Sequence, residues 1–142
     1  MLLQILFLPM QPARDSEISK KIMTFMAQES KCIDKKITVD ETLAIMKNAD
    51  LCIGMRLHSL IYASSGNVPV VGLVYDPKIA GFMDYISQPY YIDVEDVSFE
   101  NLKELTKKCI DDGAKINVDE LKKKAKLNAE LAIKLLEKGR KH

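Results

Sequence analysis

The sequence predicts an α/β fold with a doubly wound, mainly parallel sheet of about five strands. Short, nearly continuous apolar runs alternate with segments in which apolar residues recur every three or four positions. Proline, glycine, aspartate and asparagine separate the two kinds of segment. Such alternation with short connections requires right-handed crossovers between parallel strands. Because 142 residues suffice for one core, we expect a single Rossmann-like domain over residues 1–142.

The predicted strands are the apolar runs. Residues 3–8 are almost entirely apolar and stop at Pro9, as expected of a strand that is buried on both faces. Gly54 ends another run, at a point where the backbone must turn. The predicted strands span residues 3–8, 32–37, 50–54, 69–74 and 90–94.

The predicted helices begin at residues that cap helices well. Asp15, Asp40, Asp76 and Ser98 each precede a segment of helical periodicity, so we expect them to be N-caps. Pro77 suits the first position of the helix that follows Asp76. In the first helix, the apolar residues expected to face inward are Ile18, Ile22, Phe25 and Met26.

A long C-terminal helix is predicted at about residues 117–139. It begins with Asn117 and Glu120, which have the spacing of a capping box. Residues 119–142 carry 8 Lys or Arg against 4 Asp or Glu, so this end of the chain is basic. A basic, amphipathic helix is typical of a solvated face, and contact with an anionic membrane surface is the alternative.

Composition excludes several classes of function. The net charge of +1 creates no global field for a nucleic-acid partner. No uncharged apolar run reaches the roughly 18 to 20 residues of a membrane span. The three cysteines have no metal-site spacing, so we expect reduced thiols, with Cys52 as a small core residue, and no metal or cofactor.

Ligands of open parallel sheets bind beyond the carboxyl ends of the strands. Three predicted loops open at that edge, at residues 9–15, 54–58 and 74–78. The polar side chains that this rule selects in and beside the second and third loops are Arg56, His58, Ser59, Tyr75, Asp76 and Lys78.

The segment Gly54-Met-Arg-Leu-His58 is the most informative of these loops. Arg56 and His58 can both face the crevice only if Arg56 is still in the turn and His58 is in the first helical turn. The N–H groups of that turn attract an anion, and the Arg56 fork suits a carboxylate or phosphate. His58 is then the candidate proton-transfer group.

Spacing alone leaves structural interpretations open for the same residues. His58 is also consistent with a core histidine that bonds a backbone carbonyl, and Arg56 with a solvated surface cation. Asp76 is most simply a helix N-cap, and Lys78 an exposed residue of the first helical turn.

Two segments in tandem resemble one known family. Residues 49–60 (ADLCIGMRLHSL) and 68–78 (VPVVGLVYDPK) are similar to the C-terminal half of polysaccharide pyruvyl transferases. The opening segment at residues 7–11, with Asp15, also fits the first strand and loop of that half. The resemblance extends over most of residues 1–95.

The resemblance implies a glycosyltransferase-B-like architecture of two domains, with the active site between them. This chain would be the C-terminal domain, and the amino-terminal domain of the family is absent from it. We therefore expect the chain alone to be an inactive half of an enzyme.

The resemblance also implies a reaction and roles for residues. Such enzymes transfer pyruvate from phosphoenolpyruvate to two hydroxyls of a sugar, forming a ketal on a cell-wall or exopolysaccharide precursor. By motif position, Arg56 would grip the carboxylate or phosphate of phosphoenolpyruvate, and His58 would be the general acid. The implied substrate-binding residues are Gly54, Ser59, Tyr75, Asp76 and Lys78.

Two other functions remain open on the sequence. One is the donor-binding half of a nucleotide-sugar glycosyltransferase, and the other is a non-catalytic flavodoxin-like binding module. The expected partners are phosphoenolpyruvate, a sugar or lipid-linked sugar acceptor and the amino-terminal domain, with no nucleic acid. The expected location is the cytoplasm, where the basic C-terminal helix could reach the inner face of the membrane.

Overall fold

The computed structural model describes residues 4–113, 116 and 118–139. Strands and helices alternate along it as the sequence predicts. The strands are β1 (Ile5–Phe7), β2 (Ser30–Cys32), β3 (Cys52–Gly54), β4 (Val70–Val74) and β5 (Tyr91–Asp93). The helices are α1 (Pro12–Thr24), α2 (Val39–Lys47), α3 (Leu57–Ser65), α4 (Pro77–Tyr85), α5 (Phe99–Asp111) and α6 (Asp119–Gly139), with a 3-10 turn at Val94–Asp96.

All strand pairs in the described residues are parallel, which confirms the α/β prediction. The strands nevertheless form two sheets, β1-β2 and β3-β4-β5, rather than the single sheet of about five strands that the sequence predicts. Side-chain packing connects the two sheets, because Leu8 and Met10, just after β1, pack against the core that surrounds β4.

Helix beginnings agree with the sequence in the second half of the chain and differ in the first. Asp76 and Ser98 cap α4 and α5 as predicted. Asp15 is not an N-cap, because α1 begins at Pro12 after Gln11. Thr38, rather than Asp40, caps α2 in a capping box with Glu41. The capping box predicted at Asn117 lies outside the described residues.

Strand β2 also differs from its prediction, because it spans Ser30–Cys32 rather than residues 32–37. Its pairing with β1 joins Ile5 to Ser30 and Phe7 to Cys32. The ladder ends where β1 ends, because Pro9 follows within two residues and has no N–H to extend it. The Ile33 N–H donates a 3.0 Å hydrogen bond to the carbonyl of Phe7, the last residue of β1, and residues 33–37 form a loop.

The core lies on both faces of β4. Val70 and Val71 are fully buried and point to opposite faces of the sheet. Val70 packs with residues of α3 and α4, including Leu60 and Met83. On the other face, Val71 packs with Cys109 of α5. Helices therefore cover β4 from both sides, as a doubly wound sheet requires.

The predicted inward face of α1 is exposed. Ile18, Ile22 and Phe25 are 53%, 44% and 80% exposed, whereas Ser19 is the buried residue of the helix. The prediction for these three apolar residues was wrong. Its physical reason is the small size of the β1-β2 sheet, whose strands have three residues each and cannot cover the whole helix face.

Helix α6 starts against the domain and then leaves it. Leu121 packs against the core, and the Lys124 ammonium lies 5.8 Å from the centroid of the Tyr85 ring. Farther along, Leu131 and Leu135 are 48% and 71% exposed. Within the part of the chain that the structure describes, neither α6 nor any other helix has the length and apolar character to cross a membrane.

The contact between β3 and α3 depends on the absence of a side chain at Gly54. A Cβ atom there would lie 2.6 Å from the Ser59 Oγ atom and 2.7 Å from the Leu60 Cδ2 atom. Both neighbours are buried, and the Ser59 hydroxyl donates a 2.6 Å hydrogen bond to the Arg56 carbonyl. Neither side chain can move away without losing packing or this hydrogen bond.

We expect Gly54→Ala to lower the free energy of unfolding by about 2 kcal/mol, through overpacking of α3 against β3. Gly81→Ala is the matched control, because a Cβ at this position of α4 meets nothing within 4 Å. That control should stabilise the protein by about 0.5 kcal/mol, since alanine favours the helix. Urea unfolding of both variants measures the difference, and equal stability of the two would contradict the close contact at Gly54.

Candidate functional site

The turn between β3 and α3 presents Arg56 at the beginning of a helix. Arg56 has extended backbone angles (φ −91°, ψ 134°) and occupies the N-cap position of α3. Its side chain makes no cap hydrogen bond. The first N–H groups of a helix have no partner within the helix. Arg56 therefore lies in the turn itself and His58 in the first helical turn, as the sequence predicts.

The Arg56 guanidinium forms a bidentate ion pair with Asp15 of α1. Arg56 Nε lies 2.7 Å from Asp15 Oδ2, and Arg56 Nη2 lies 2.5 Å from Asp15 Oδ1. The two side chains are 32% and 21% exposed. The Arg56 hydrogen bond holds the pKa of Asp15 below its ordinary value, and Asp15 in turn raises the pKa of Arg56. This pair joins the first turn of α1 to the turn between β3 and α3.

Tyr75 lies in the loop after β4, and Lys78 lies in the first turn of α4. The Lys78 ammonium lies 3.3 Å from an Asp76 carboxylate oxygen and 5.5 Å from the centroid of the Tyr75 ring. The hydrogen bond with Asp76 raises the pKa of Lys78, and Tyr75 adds a smaller contribution. Asp15 makes the largest contribution to the raised pKa of Arg56, and Tyr75 adds a smaller one. The Tyr75 ring is therefore a neighbour of the Lys78 ammonium.

Asp76 has a structural task at this site. Its carboxylate accepts a 3.0 Å hydrogen bond from the Lys78 backbone N–H and so caps α4. This hydrogen bond lowers the pKa of Asp76, with smaller contributions from the Lys78 side chain. The N-cap interpretation of Asp76 is confirmed, and the same carboxylate also pairs with the Lys78 ammonium.

His58 lies in the first turn of α3 and is exposed. Its ring contacts that of Tyr62, one turn further along, with centroids 6.1 Å apart. The alternative of a core histidine is therefore wrong. The imidazole is accessible to a substrate, as a proton-transfer role requires.

Gly54 and Ser59 are buried beneath the turn and are not part of its accessible surface. Gly54 is buried, and the Ser59 hydroxyl is committed to the Arg56 carbonyl. The accessible polar side chains among the predicted site residues are Arg56, His58, Tyr75, Asp76 and Lys78.

Asp15 is the residue that sequence reasoning did not place in the site. It lies 41 positions before Arg56, and no local pattern links the two. A signal was present, because the sequence predicts that the loop of residues 9–15 opens at the same edge as the other two loops. In the structure Asp15 lies in the first turn of α1.

Metal and thiol chemistry have no support in the described part of the chain. Its His, Cys, Asp and Glu side chains form no group of three or more that could hold a metal ion. Desolvation by burial raises the pKa of Cys52 and of Cys109 to about 11 each. Both thiols therefore stay protonated at neutral pH, so neither is suited to act as a nucleophile.

We expect the Asp15–Arg56 pair to make stability depend on pH. Because the folded state lowers the pKa of Asp15 below 3.8, its stabilisation is complete well above that pH and is lost as the pH falls through the lowered value. Asp15→Asn should lower the free energy of unfolding by about 1 to 2 kcal/mol at pH 7, and by much less at about pH 2. Urea unfolding at both pH values measures this difference.

Asp34→Asn is the matched control for this prediction. It breaks the exposed Lys20–Asp34 pair, whose side chains are 58% and 48% exposed, and should have little effect on stability at neutral pH. A loss in Asp15→Asn that is the same at both pH values would contradict the prediction.

A family model described as polysaccharide pyruvyl transferase matches residues 1–77. The match covers more than half of the chain, includes Asp15, Arg56, His58 and Tyr75, and ends one residue before Lys78. No curated protein and no solved structure matches the chain. The matched segment contains both partners of the Asp15–Arg56 pair. The chain therefore belongs to the polysaccharide pyruvyl transferase family.

Proposed function

We propose that this chain binds phosphoenolpyruvate at Arg56 and supplies one wall of an active site for pyruvyl transfer. The acceptor is a pair of hydroxyls on a sugar of a cell-wall or exopolysaccharide precursor. The observation that carries the proposal is the Arg56 guanidinium, which Asp15 holds in a bidentate pair at the beginning of α3. Membership of the family supports the type of reaction.

The side chains at this edge provide several donors for an anion. Arg56 supplies a planar fork for a carboxylate or phosphate, and Lys78 supplies an ammonium. Each cation is paired with a carboxylate, Asp15 or Asp76, so the cluster is close to neutral. Recognition therefore depends on directed hydrogen bonds more than on net positive charge.

The reaction needs one proton donor and produces one phosphate. Protonation of the methylene carbon of phosphoenolpyruvate turns it into a methyl group and makes C2 electrophilic. One sugar hydroxyl adds to C2, the C2–O bond to phosphate breaks, and the second hydroxyl closes the ketal. Of the two hydroxyl protons released, one replaces the proton spent on the methyl group and the other leaves with phosphate. His58, exposed in the first turn of α3, is the candidate acid.

The reaction needs a second protein surface that covers these side chains, because they are exposed to water. Tyr75 is 48% exposed, the Lys78 side chain is 50% exposed, and His58 is exposed. A cation intermediate at C2 would be captured by water in so open a site. The proposed role is therefore that of the C-terminal half of a glycosyltransferase-B-like enzyme, in which an amino-terminal domain closes the cleft.

We expect phosphoenolpyruvate to shift the backbone amide signals of residues 54–59 and 75–78 when the isotope-labelled chain is titrated by NMR. Arg56→Lys should weaken binding about tenfold, because an ammonium keeps the charge but loses the fork. Arg14→Lys, at an exposed arginine of α1, is the matched control and should bind like the wild type. Shifts caused by uridine diphosphate, with none caused by phosphoenolpyruvate, would favour the glycosyltransferase alternative.

We expect residues 1–142 alone to release no phosphate from phosphoenolpyruvate in the presence of a sugar acceptor, because they supply one wall of the proposed cleft. When it is combined with an amino-terminal domain of the family, transfer should appear. His58→Ala should then lower the rate about 10²- to 10⁴-fold without preventing phosphoenolpyruvate binding. Turnover by the chain alone would contradict the two-wall proposal, and near-normal turnover of His58→Ala would contradict the role of His58.

A further inference from the structure

The Asp15–Arg56 contact leaves part of the guanidinium available. An arginine side chain has five N–H donors, and the pair with Asp15 engages the edge formed by Nε and Nη2. One N–H of Nη2 and both of Nη1 remain. Nη1 and Nη2 together form a second edge, which can bind another carboxylate or phosphate through two parallel hydrogen bonds. Asp15 therefore does not exclude an anionic ligand from Arg56.

Asp15 is itself held by the backbone around it. Its Oδ2 atom accepts a 2.9 Å hydrogen bond from the Gln11 N–H, at the beginning of α1. Its carbonyl accepts a 2.7 Å hydrogen bond from the Ser19 hydroxyl, which is buried against the domain. The Gln11 N–H thus orients the carboxylate, the Ser19 hydroxyl bonds the backbone that carries it, and the oriented carboxylate fixes the plane of the guanidinium. By contrast, the Lys20–Asp34 pair is about half exposed on both sides.

We propose that Asp15 is a positioning residue for Arg56, which it holds so that the Nη1–Nη2 edge is presented to the anionic groups of phosphoenolpyruvate. This inference rests on the proposed function, and it adds Asp15 to the residues that support phosphoenolpyruvate binding. The energetic basis is conformational entropy. An arginine side chain that is already ordered loses less freedom when a ligand binds.

A competing role for Asp15 predicts the opposite effect on binding. If Asp15 only neutralised Arg56 or occupied it in place of the ligand, its removal would free a positive charge and tighten anion binding. If Asp15 positions Arg56, its removal lets the side chain sample many rotamers and weakens binding. The sign of the change in affinity separates the two roles.

The test compares the wild type with Asp15→Asn and Asp34→Asn, using phosphoenolpyruvate as the probe. The NMR signal of the Arg56 Nε–H group reports the pair without ligand. The Asp15→Asn variant should lose the hydrogen-bonded form of this signal and bind phosphoenolpyruvate about tenfold more weakly. Asp34→Asn should leave both the signal and the affinity unchanged. Affinity in Asp15→Asn that equals or exceeds that of the wild type overturns the inference.

Asp15→Glu keeps a carboxylate on a longer side chain. It is the test variant if Asp15→Asn does not fold. It should shift the Nε–H signal and weaken binding about threefold, because the pair persists with altered geometry. Tighter or unchanged binding in this variant overturns the inference. Absence of binding by the wild type overturns the proposed function itself, whereas equal binding by the wild type and the Asp15 variants overturns only the role of Asp15.

Discussion

The close approach of α3 to β3 at Gly54 is the constraint on which the rest of the site depends. Because residue 54 has no Cβ, Ser59 and Leu60 can lie directly against the strand end. Leu60 then fills the core beside β4, and Ser59 fixes the Arg56 carbonyl. The same contact determines where Arg56 leaves the strand, so packing in the core sets the position of the Arg56 guanidinium.

A polar contact rather than a continuous sheet connects the segment after β1 with the turn after β3. Asp15 follows β1, Arg56 follows β3, and Tyr75 follows β4, yet β1 and β3 belong to different sheets. The Asp15–Arg56 pair therefore links the β1-β2 sheet side of the molecule to the β3-β4-β5 sheet, and no strand ladder joins these two sheets in the described residues. An ion pair of limited exposure is well suited to this, because its geometry is directional and its hydrogen bonds are charge-assisted.

Sequence reasoning succeeded best where local chemistry is unambiguous. The caps at Asp76 and Ser98 were predicted because each precedes a strongly periodic helix. It was less successful in the first half of the chain, where Thr38 and Asp40 are two residues apart and both cap helices well. The exposed face of α1, including Phe25, could not be predicted, because periodicity shows that a face is apolar and not whether anything covers it.

The sequence by itself determined the alternation of strands and helices, the turn at Gly54 and the residue types of the site. These features are local, since they follow from the spacing of apolar residues, from glycine and proline, and from the chemistry of single side chains. Only the tertiary structure decided that Asp15 meets Arg56, that His58 is exposed and that the strands divide into two sheets. Each of these depends on contacts between segments that are distant in the sequence. Asp15 and Arg56 are 41 positions apart, and no pattern in the sequence indicates that they are close in space.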